Sequence, residues 1–148
     1  MSRLKNLFKR DRNKLVVFIT AGFPKKESTE ELVLQAIEGG ADMIEIGIPF
    51  SDPQADGPII QKASEIALSN DISLPIIFDQ VRSIRKKTDI PIALMGYYNP
   101  ILAYGIDNFL NDCKTSQIDG IILPDLPLDE GTFSVSYTHL RAHETILD

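Results

Sequence analysis

The chain has 148 residues, of which 43% are hydrophobic and 24% charged, and its formal net charge at pH 7 is −6. These values suit one globular domain with a sizeable core, and the acidic balance argues against a surface for nucleic acid or anionic membranes. No apolar run is long enough for a transmembrane helix, and residues 1–14 lack the apolar segment of a secretory signal. Cys113 is the single cysteine, so we expect no internal disulfide and a cytoplasmic protein.

Short apolar runs alternate with helical patterns along the chain. The apolar runs, each bounded by turn residues, predict buried strands at residues 15–20, 42–47, 90–95 and 118–123. Apolar residues at helical spacing predict helices that begin near Ser2, Ser28, Pro58, Ser73, Asp107 and Leu128. Ser28 and Glu31 form a predicted capping box. For the helix that begins at Pro58, the predicted N-cap is Asp56 or Gly57. Residues 96–100 are predicted to form a turn.

This alternation predicts an α/β fold with a parallel sheet covered by helices. The first four βα units, within residues 1–133, match half of a (β/α)8 TIM barrel, which needs about 250 residues. An open doubly wound sheet shows the same alternation, but it often carries a glycine-rich phosphate loop after its first strand. The turn AGFP at residues 21–24 lacks that pattern, so the half barrel is favoured.

Candidate catalytic groups follow the ends of the predicted strands. Glu45 lies inside an apolar strand, where an unpaired carboxylate costs several kcal/mol, so it is a paired structural ion or a working acid–base group. Asp52 and Asp56 lie in the next loop, where turn formation and helix capping are available roles. Further polar groups follow the third and fourth strands at Tyr97, Asn99 and Asp125. In a barrel all these positions share the C-terminal end, where active sites lie.

The stretch IEIGIPFSDPQADGP at residues 44–58 resembles the signature of the tryptophan synthase alpha chain family. Three other runs, LVVFITAGFP, IPIALMGYYNP and IDGIILPDLP, resemble the first, third and fourth strands of that family. The resemblance covers about Leu4 to Phe133. Gln54 departs from it, because the family usually has an aliphatic residue there, and this change could affect loop packing or the partner surface.

The resemblance implies a lyase that cleaves indole-3-glycerol phosphate to indole and glyceraldehyde 3-phosphate, with no metal and no organic cofactor. Glu45 takes the place of the carboxyl that moves protons at indole C3 and the neighbouring hydroxyl. Asp56 takes the place of the carboxylate that stabilises the indoleninium cation beside the ring N–H. The pocket-lining positions implied by the family are Phe18, Met95, Tyr97, Ile122 and Pro124.

The family also implies a partner, the tryptophan synthase beta chain. In that family indole passes to the beta chain. Loops 52–56 and 97–103 are expected to face this partner, because they lie on the barrel end turned towards it. Two alternatives remain open at this point: another barrel enzyme with a phosphorylated substrate, which should lack the paired carboxylates, and a non-catalytic half barrel that acts as an interaction module.

The resemblance ends near Phe133. Residues 134–148, SVSYTHLRAHETILD, keep no helical face joined to the preceding helix, and they resemble a tail found on fragmentary reading frames translated from adapter DNA. We therefore predict that this tail is non-native or disordered. The family's phosphate site is formed after strands seven and eight, so the 148-residue chain is expected to have little or no lyase activity and to expose two sheet edges.

Overall fold

The computed structural model of the chain describes residues 3–9 and 12–126. One parallel sheet contains four strands in the order β1-β2-β3-β4, namely β1 (Val16–Thr20), β2 (Met43–Gly47), β3 (Ile92–Met95) and β4 (Gly120–Ile122). Each strand therefore pairs with the next one along the chain. A doubly wound sheet reverses its strand order at a switch point, whereas a barrel does not. The predicted strands and their parallel order are confirmed.

The helices connect and cover these strands. They are α1 (Arg3–Phe8), α2 (Ser28–Glu38), α3 (Pro58–Ser69), α4 (Leu74–Arg85), α5 (Tyr98–Tyr104) and α6 (Ile106–Thr115). Pro58 is the first residue of α3 after Gly57 as N-cap, as predicted, because a proline needs no N–H partner there. Ser73 is the N-cap of α4, which buries the predicted apolar face of Ile77, Phe78, Val81 and Ile84. No helix of the described ranges is long and apolar enough to cross a membrane.

Two local predictions were wrong. The N-cap of α2 is Glu27 rather than Ser28, and within the described part of the chain no side chain caps that helix; the Ser28 N–H is already bonded to the Lys25 carbonyl at 3.0 Å. Residues 98–104 form α5 instead of a turn, because the Asp125 carboxylate, in the loop after the neighbouring strand β4, accepts the Tyr98 N–H. The helix predicted from Leu128 and the tail 134–148 lie outside the described residues, so the division at residue 133 stays a prediction.

The two faces of the sheet have different surroundings. On the outer face Ile44, Ile46, Ile92 and Leu94 are fully buried beneath side chains of α2, α4 and α6. Burying an aliphatic side chain of this size stabilises the fold by roughly 1.5–3 kcal/mol. The alternating residues of the same strands occupy the other face, which is the interior face of a barrel.

A buried ion pair holds the N-terminal ends of β3 and β4 together. Arg85 at the end of α4 contacts Asp119, just before β4, at 2.5 Å, and their side chains are 5% and 6% exposed. Asp119 also accepts the Ile92 N–H at 2.9 Å and a bond from Arg3 of α1 at 3.3 Å. The cluster therefore attaches α1, α4 and β3 to one carboxylate, at the end of the sheet opposite to the candidate site.

Candidate active site

Glu45 occupies the middle of β2, on the interior face of the sheet. Its neighbours in the strand, Ile44 and Ile46, are fully buried on the helix-covered face, whereas Glu45 is half-buried. The register pairs Glu45 with Phe18 of β1 and with Ala93 of β3. An apolar residue therefore flanks the carboxyl on each side, and the strand fixes its direction. Its role in proton transfer remains a prediction.

A cleft lies at the carboxyl ends of the strands, beyond the level of Glu45. The cleft is lined by Phe18, Asp56, Met95, Tyr97 and Pro124, together with residues that include Thr20, Gly47 and Ser64. The structure thus brings five of the seven predicted site residues to one place. Among the residues that the structure describes, Asp56 is the one carboxylate in a lining that is otherwise mostly apolar or aromatic.

The other two predicted site residues, Glu45 and Ile122, do not line this cleft. Glu45 precedes Gly47 by two residues in β2, which places it about 6.6 Å deeper along the strand. Ile122 pairs with Met95 in the register of β3 and β4, so it lies beside the cleft on the next strand. Both remain on the interior face of the sheet.

Asp56 does not cap α3. The N-cap is Gly57, and no side-chain cap bond forms there among the described residues. The Asp56 main-chain oxygen accepts a bond from the Gln61 side chain at 2.9 Å, which joins the end of the loop to the helix. The carboxylate is therefore not used by the helix end. Asp52, by contrast, is exposed and does not line the cleft.

Tyr97 is nearly fully buried, with 5% of its surface exposed. Its hydroxyl oxygen accepts the Ala55 N–H at 2.9 Å, and its ring centroid lies 5.3 Å from that of Phe50. The pKa of Tyr97 is raised, first by burial and further by the negative charge of Asp56 and by a side-chain hydrogen bond with it. The phenol therefore keeps its proton at neutral pH. Sequence analysis predicted Tyr97 as pocket lining and missed its contact with the 50–56 loop.

Sequence analysis also missed two buried polar residues of the cleft. Thr20 ends β1 and is 7% exposed, and Ser64 on α3 is 4% exposed. A signal was available for each: Thr20 terminates an apolar strand at the active end of the barrel, and Ser64 interrupts the apolar face of a helix. In the described ranges no group of three or more His, Cys, Asp or Glu side chains is arranged to hold a metal ion.

Gly47 allows Phe18 to approach the floor of the cleft. A Cβ atom built on Gly47 would overlap the Phe18 ring, so the strand needs a residue without a side chain at this position. The far end of the aromatic ring can then approach the end of β2. This packing explains how Phe18 reaches the same cleft as Met95 from two strands away.

A sequentially ordered parallel sheet, helices on its outer face and polar groups at its carboxyl ends define a protein of the TIM-barrel class. Solved structures agree with that class. The tryptophan synthase alpha subunit of Legionella pneumophila str. Paris superposes with a TM-score of 0.87 at 40% identity, over 95% of this chain and 56% of that one. A tryptophan synthase complex of Pyrococcus furiosus has a chain with a TM-score of 0.78 at 42% identity, over 86% of this chain and 53% of that one.

Sequence comparisons identify the family. The family model of the tryptophan synthase alpha chain matches residues 4–144. The alpha chain of Petrotoga mobilis is 50% identical over 130 residues, which are 88% of this chain and 50% of the relative. That of Geotalea uraniireducens is 52% identical over 125 residues, which are 84% of this chain and 47% of the relative. This chain belongs to the tryptophan synthase alpha chain family, as the signature predicted, and it spans about half the length of the curated relatives it matches.

Proposed function

We propose that this chain contributes the acid–base residues of a lyase that cleaves indole-3-glycerol phosphate to indole and glyceraldehyde 3-phosphate. One observation carries the proposal: a single carboxylate, Asp56, lies in a cleft formed by Phe18, Met95, Tyr97 and Pro124. The chemistry of this lining matches a flat apolar ring with one N–H donor, since such a ring packs on apolar surface and the donor needs one acceptor. Family membership does not favour the two alternatives, another phosphate-substrate barrel or a non-catalytic half barrel.

The chemistry requires two carboxyl groups with different tasks. Protonation of indole C3 turns the ring into an indoleninium cation, which accepts the electron pair of the breaking carbon–carbon bond. Asp56 stabilises that cation at the ring N–H. Glu45 donates the proton to C3 and removes the proton of the neighbouring hydroxyl, since one carboxyl can carry out both proton transfers in sequence.

The activity belongs to a complete barrel, because the chain covers about half of each relative, 50% for that of Petrotoga mobilis. Residues 4–126 joined to the remaining half of the Geotalea uraniireducens alpha chain would form such a protein, which we call the completed barrel. Its release of indole is the assay. Glu45→Gln and Asp56→Asn should each lower kcat by at least about 100-fold.

The matched control is Asp107→Asn. Asp107 is an exposed carboxylate on α6, so this variant should keep the rate of the completed barrel within about twofold. Full activity after Asp56→Asn would contradict the assignment of the cleft. Full activity after Glu45→Gln would show that another group moves the protons.

We also propose that the beta chain of tryptophan synthase docks beside the cleft. An apolar groove lies between the loop after β2 and helix α5, with Pro49, Phe50, Leu74, Pro100 and Ala103 among its lining residues. The alpha-like chain of Pyrococcus furiosus comes from a structure described as a tryptophan synthase complex. The groove adjoins both loops that the sequence predicts to face the partner.

Calorimetry with a beta chain tests this docking surface. Ala103→Glu places a charge in the apolar groove, so we expect it to weaken binding of the completed barrel by at least about tenfold. Phe8→Glu is the control, because Phe8 is 65% exposed on α1, away from the groove. Equal losses in the two variants would contradict the assignment. We expect the reaction in the cytoplasm, where the buried thiol of Cys113 stays reduced.

A further inference from the structure

Loops from three different strands meet at Tyr97. The residue itself follows β3, and its hydroxyl oxygen accepts the Ala55 N–H of the loop after β2 at 2.9 Å. The loop after β4 supplies Asp125, whose two carboxylate oxygens lie 3.0 and 3.1 Å from the Tyr98 nitrogen. The contacts of Tyr97 and Tyr98 therefore connect the loops after β2 and β4.

Ala55, whose N–H is bonded to the Tyr97 hydroxyl oxygen, comes directly before Asp56 in the chain. The loop between Phe50 and α3 contains one proline, Pro53, and Ala55 is exposed, so local sequence does little to fix the direction of the Asp56 side chain. A hydrogen bond to a buried hydroxyl would restrict the backbone one residue before the carboxylate. The Phe50 ring, 5.3 Å from that of Tyr97, anchors the other end of the loop.

We propose that Tyr97 is the positioning residue of the candidate catalytic loop: its hydroxyl holds the Ala55 N–H and so sets Asp56 in the cleft. This inference rests on the proposed function only for its effect on catalysis, because the contact itself can be tested without turnover. Asp125 supports the arrangement, since its carboxylate fixes the first turn of α5 directly after Tyr97.

The chemistry of the phenol suits two tasks at once. A hydroxyl group can accept one hydrogen bond while it donates another. The oxygen accepts the Ala55 N–H, which leaves the phenol proton available to a carboxylate. Asp56 and Asp125 are the carboxylates whose negative charge acts on this phenol. A side-chain hydrogen bond also joins this phenol to Asp56. Tyr97 therefore acts on Asp56 both through the backbone of the loop and through its hydroxyl, and it contributes no atom to the reaction.

Amide hydrogen exchange in the full 148-residue chain tests the contact directly. Tyr97→Phe removes the hydroxyl and keeps the ring, so exchange at Ala55 should become about tenfold faster. Tyr98→Phe is the matched control, because the Tyr98 side-chain hydroxyl has no recorded partner among the described residues. It should leave Ala55 unchanged. Equal exchange at Ala55 in wild type and Tyr97→Phe would overturn the proposal.

Kinetics of the completed barrel test the consequence for Asp56. Tyr97→Phe should lower kcat by about 10- to 100-fold with a smaller change in KM, because a misplaced carboxylate loses interactions made in the transition state. Ala55→Pro removes the N–H donor while the phenol remains. Its effect should not add to that of Tyr97→Phe if both break one bond, and additive losses would contradict the proposal.

The proposed function and this inference fail differently. Activity that survives Asp56→Asn would refute the lyase assignment, whatever the exchange rate at Ala55. A loss of activity with Asp56→Asn, together with unchanged kcat in Tyr97→Phe, would retain the lyase and refute the positioning role. If Tyr97→Phe did not fold, the Ala55→Pro variant would still measure the same contact from the side of the donor.

Discussion

Removing the buried carboxylate of Asp119 should destabilise the chain more than removing any exposed one. Asp119 is 6% exposed and pairs with Arg85, which is 5% exposed, at 2.5 Å. Burial lowers the pKa of Arg85, and the negative charge of Asp119 opposes that shift. In Asp119→Ala the Arg85 guanidinium stays buried and loses its counterion. The free energy of unfolding therefore falls by the full cost of burying an unpaired charge.

The magnitude follows from two losses that share one site. A buried charge left without its partner costs roughly 3–5 kcal/mol. The Ile92 N–H, which donates to Asp119 at 2.9 Å, loses its side-chain acceptor, at a cost of about 1–3 kcal/mol. These two costs arise from the same carboxylate and do not simply add. We therefore expect Asp119→Ala to lower the free energy of unfolding by about 4 kcal/mol. Asp119→Asn keeps an acceptor for Ile92 and should cost about 1 kcal/mol less.

Urea unfolding followed by circular dichroism measures these differences. Asp89→Ala is the matched control: Asp89 contacts Arg3 of the same cluster at 3.0 Å, but its side chain is 90% exposed. An exposed pair contributes less than about 1 kcal/mol. The double variant Arg85→Met, Asp119→Ala should be more stable than Asp119→Ala alone, because no buried charge remains. Equal effects of Asp119→Ala and Asp89→Ala would refute this reasoning.

Three further changes test separate parts of the fold. Burial raises the pKa of Cys113 to about 12, so iodoacetamide at pH 8 should modify it only as fast as the chain unfolds; rapid modification of the folded chain would contradict this. Lys87 lowers the pKa of Glu30 below its ordinary 4.5, so the pair stabilises the fold above that value and the gain is lost as the pH falls through the folded pKa. Lys87→Met should cost about 0.5 kcal/mol at pH 7 and nothing in strong acid, as pH-dependent urea unfolding would show. Gly47→Ala should push the ring of Phe18 from the cleft and weaken binding of an indole ligand to the completed barrel about tenfold, whereas unchanged binding would show that the ring adapts in place.

Much of the fold could be predicted because its signals are local. The run at residues 15–20 is apolar without interruption, which a strand buried on both faces requires, and β1 occupies Val16–Thr20. Pro58 marked the start of α3 because it lacks an N–H. The apolar face of α4 followed from helical spacing, and Ile77, Phe78, Val81 and Ile84 are all buried.

The errors lie where a contact that the sequence pattern does not specify decides the local structure. Residues 96–100 contain glycine and proline and indicate a turn, yet α5 begins at Tyr98 because Asp125, 27 residues away, accepts the Tyr98 N–H. Ser28 and Glu31 have the spacing of a capping box, but the Ser28 N–H is bonded to Lys25 in the preceding turn. Asp125 cannot be found from a short window of sequence, whereas the Lys25 carbonyl lies three residues before Ser28 and competes locally with the capping box.

The two candidate carboxylates illustrate this difference within one site. Glu45 is placed by the register of the sheet, which pairs it with Phe18 and Ala93, so its direction follows from the alternation of a strand. Asp56 lies in a loop, where the alternation of side chains along a strand cannot predict the direction of its carboxylate. Its placement depends on the bond between the Tyr97 hydroxyl and the Ala55 N–H, which joins residues 42 positions apart. A carboxylate on a strand is held by the fold as a whole, whereas one on a loop needs its own tertiary anchor. We therefore expect substitutions around Tyr97 to alter the role of Asp56 and to leave that of Glu45 intact.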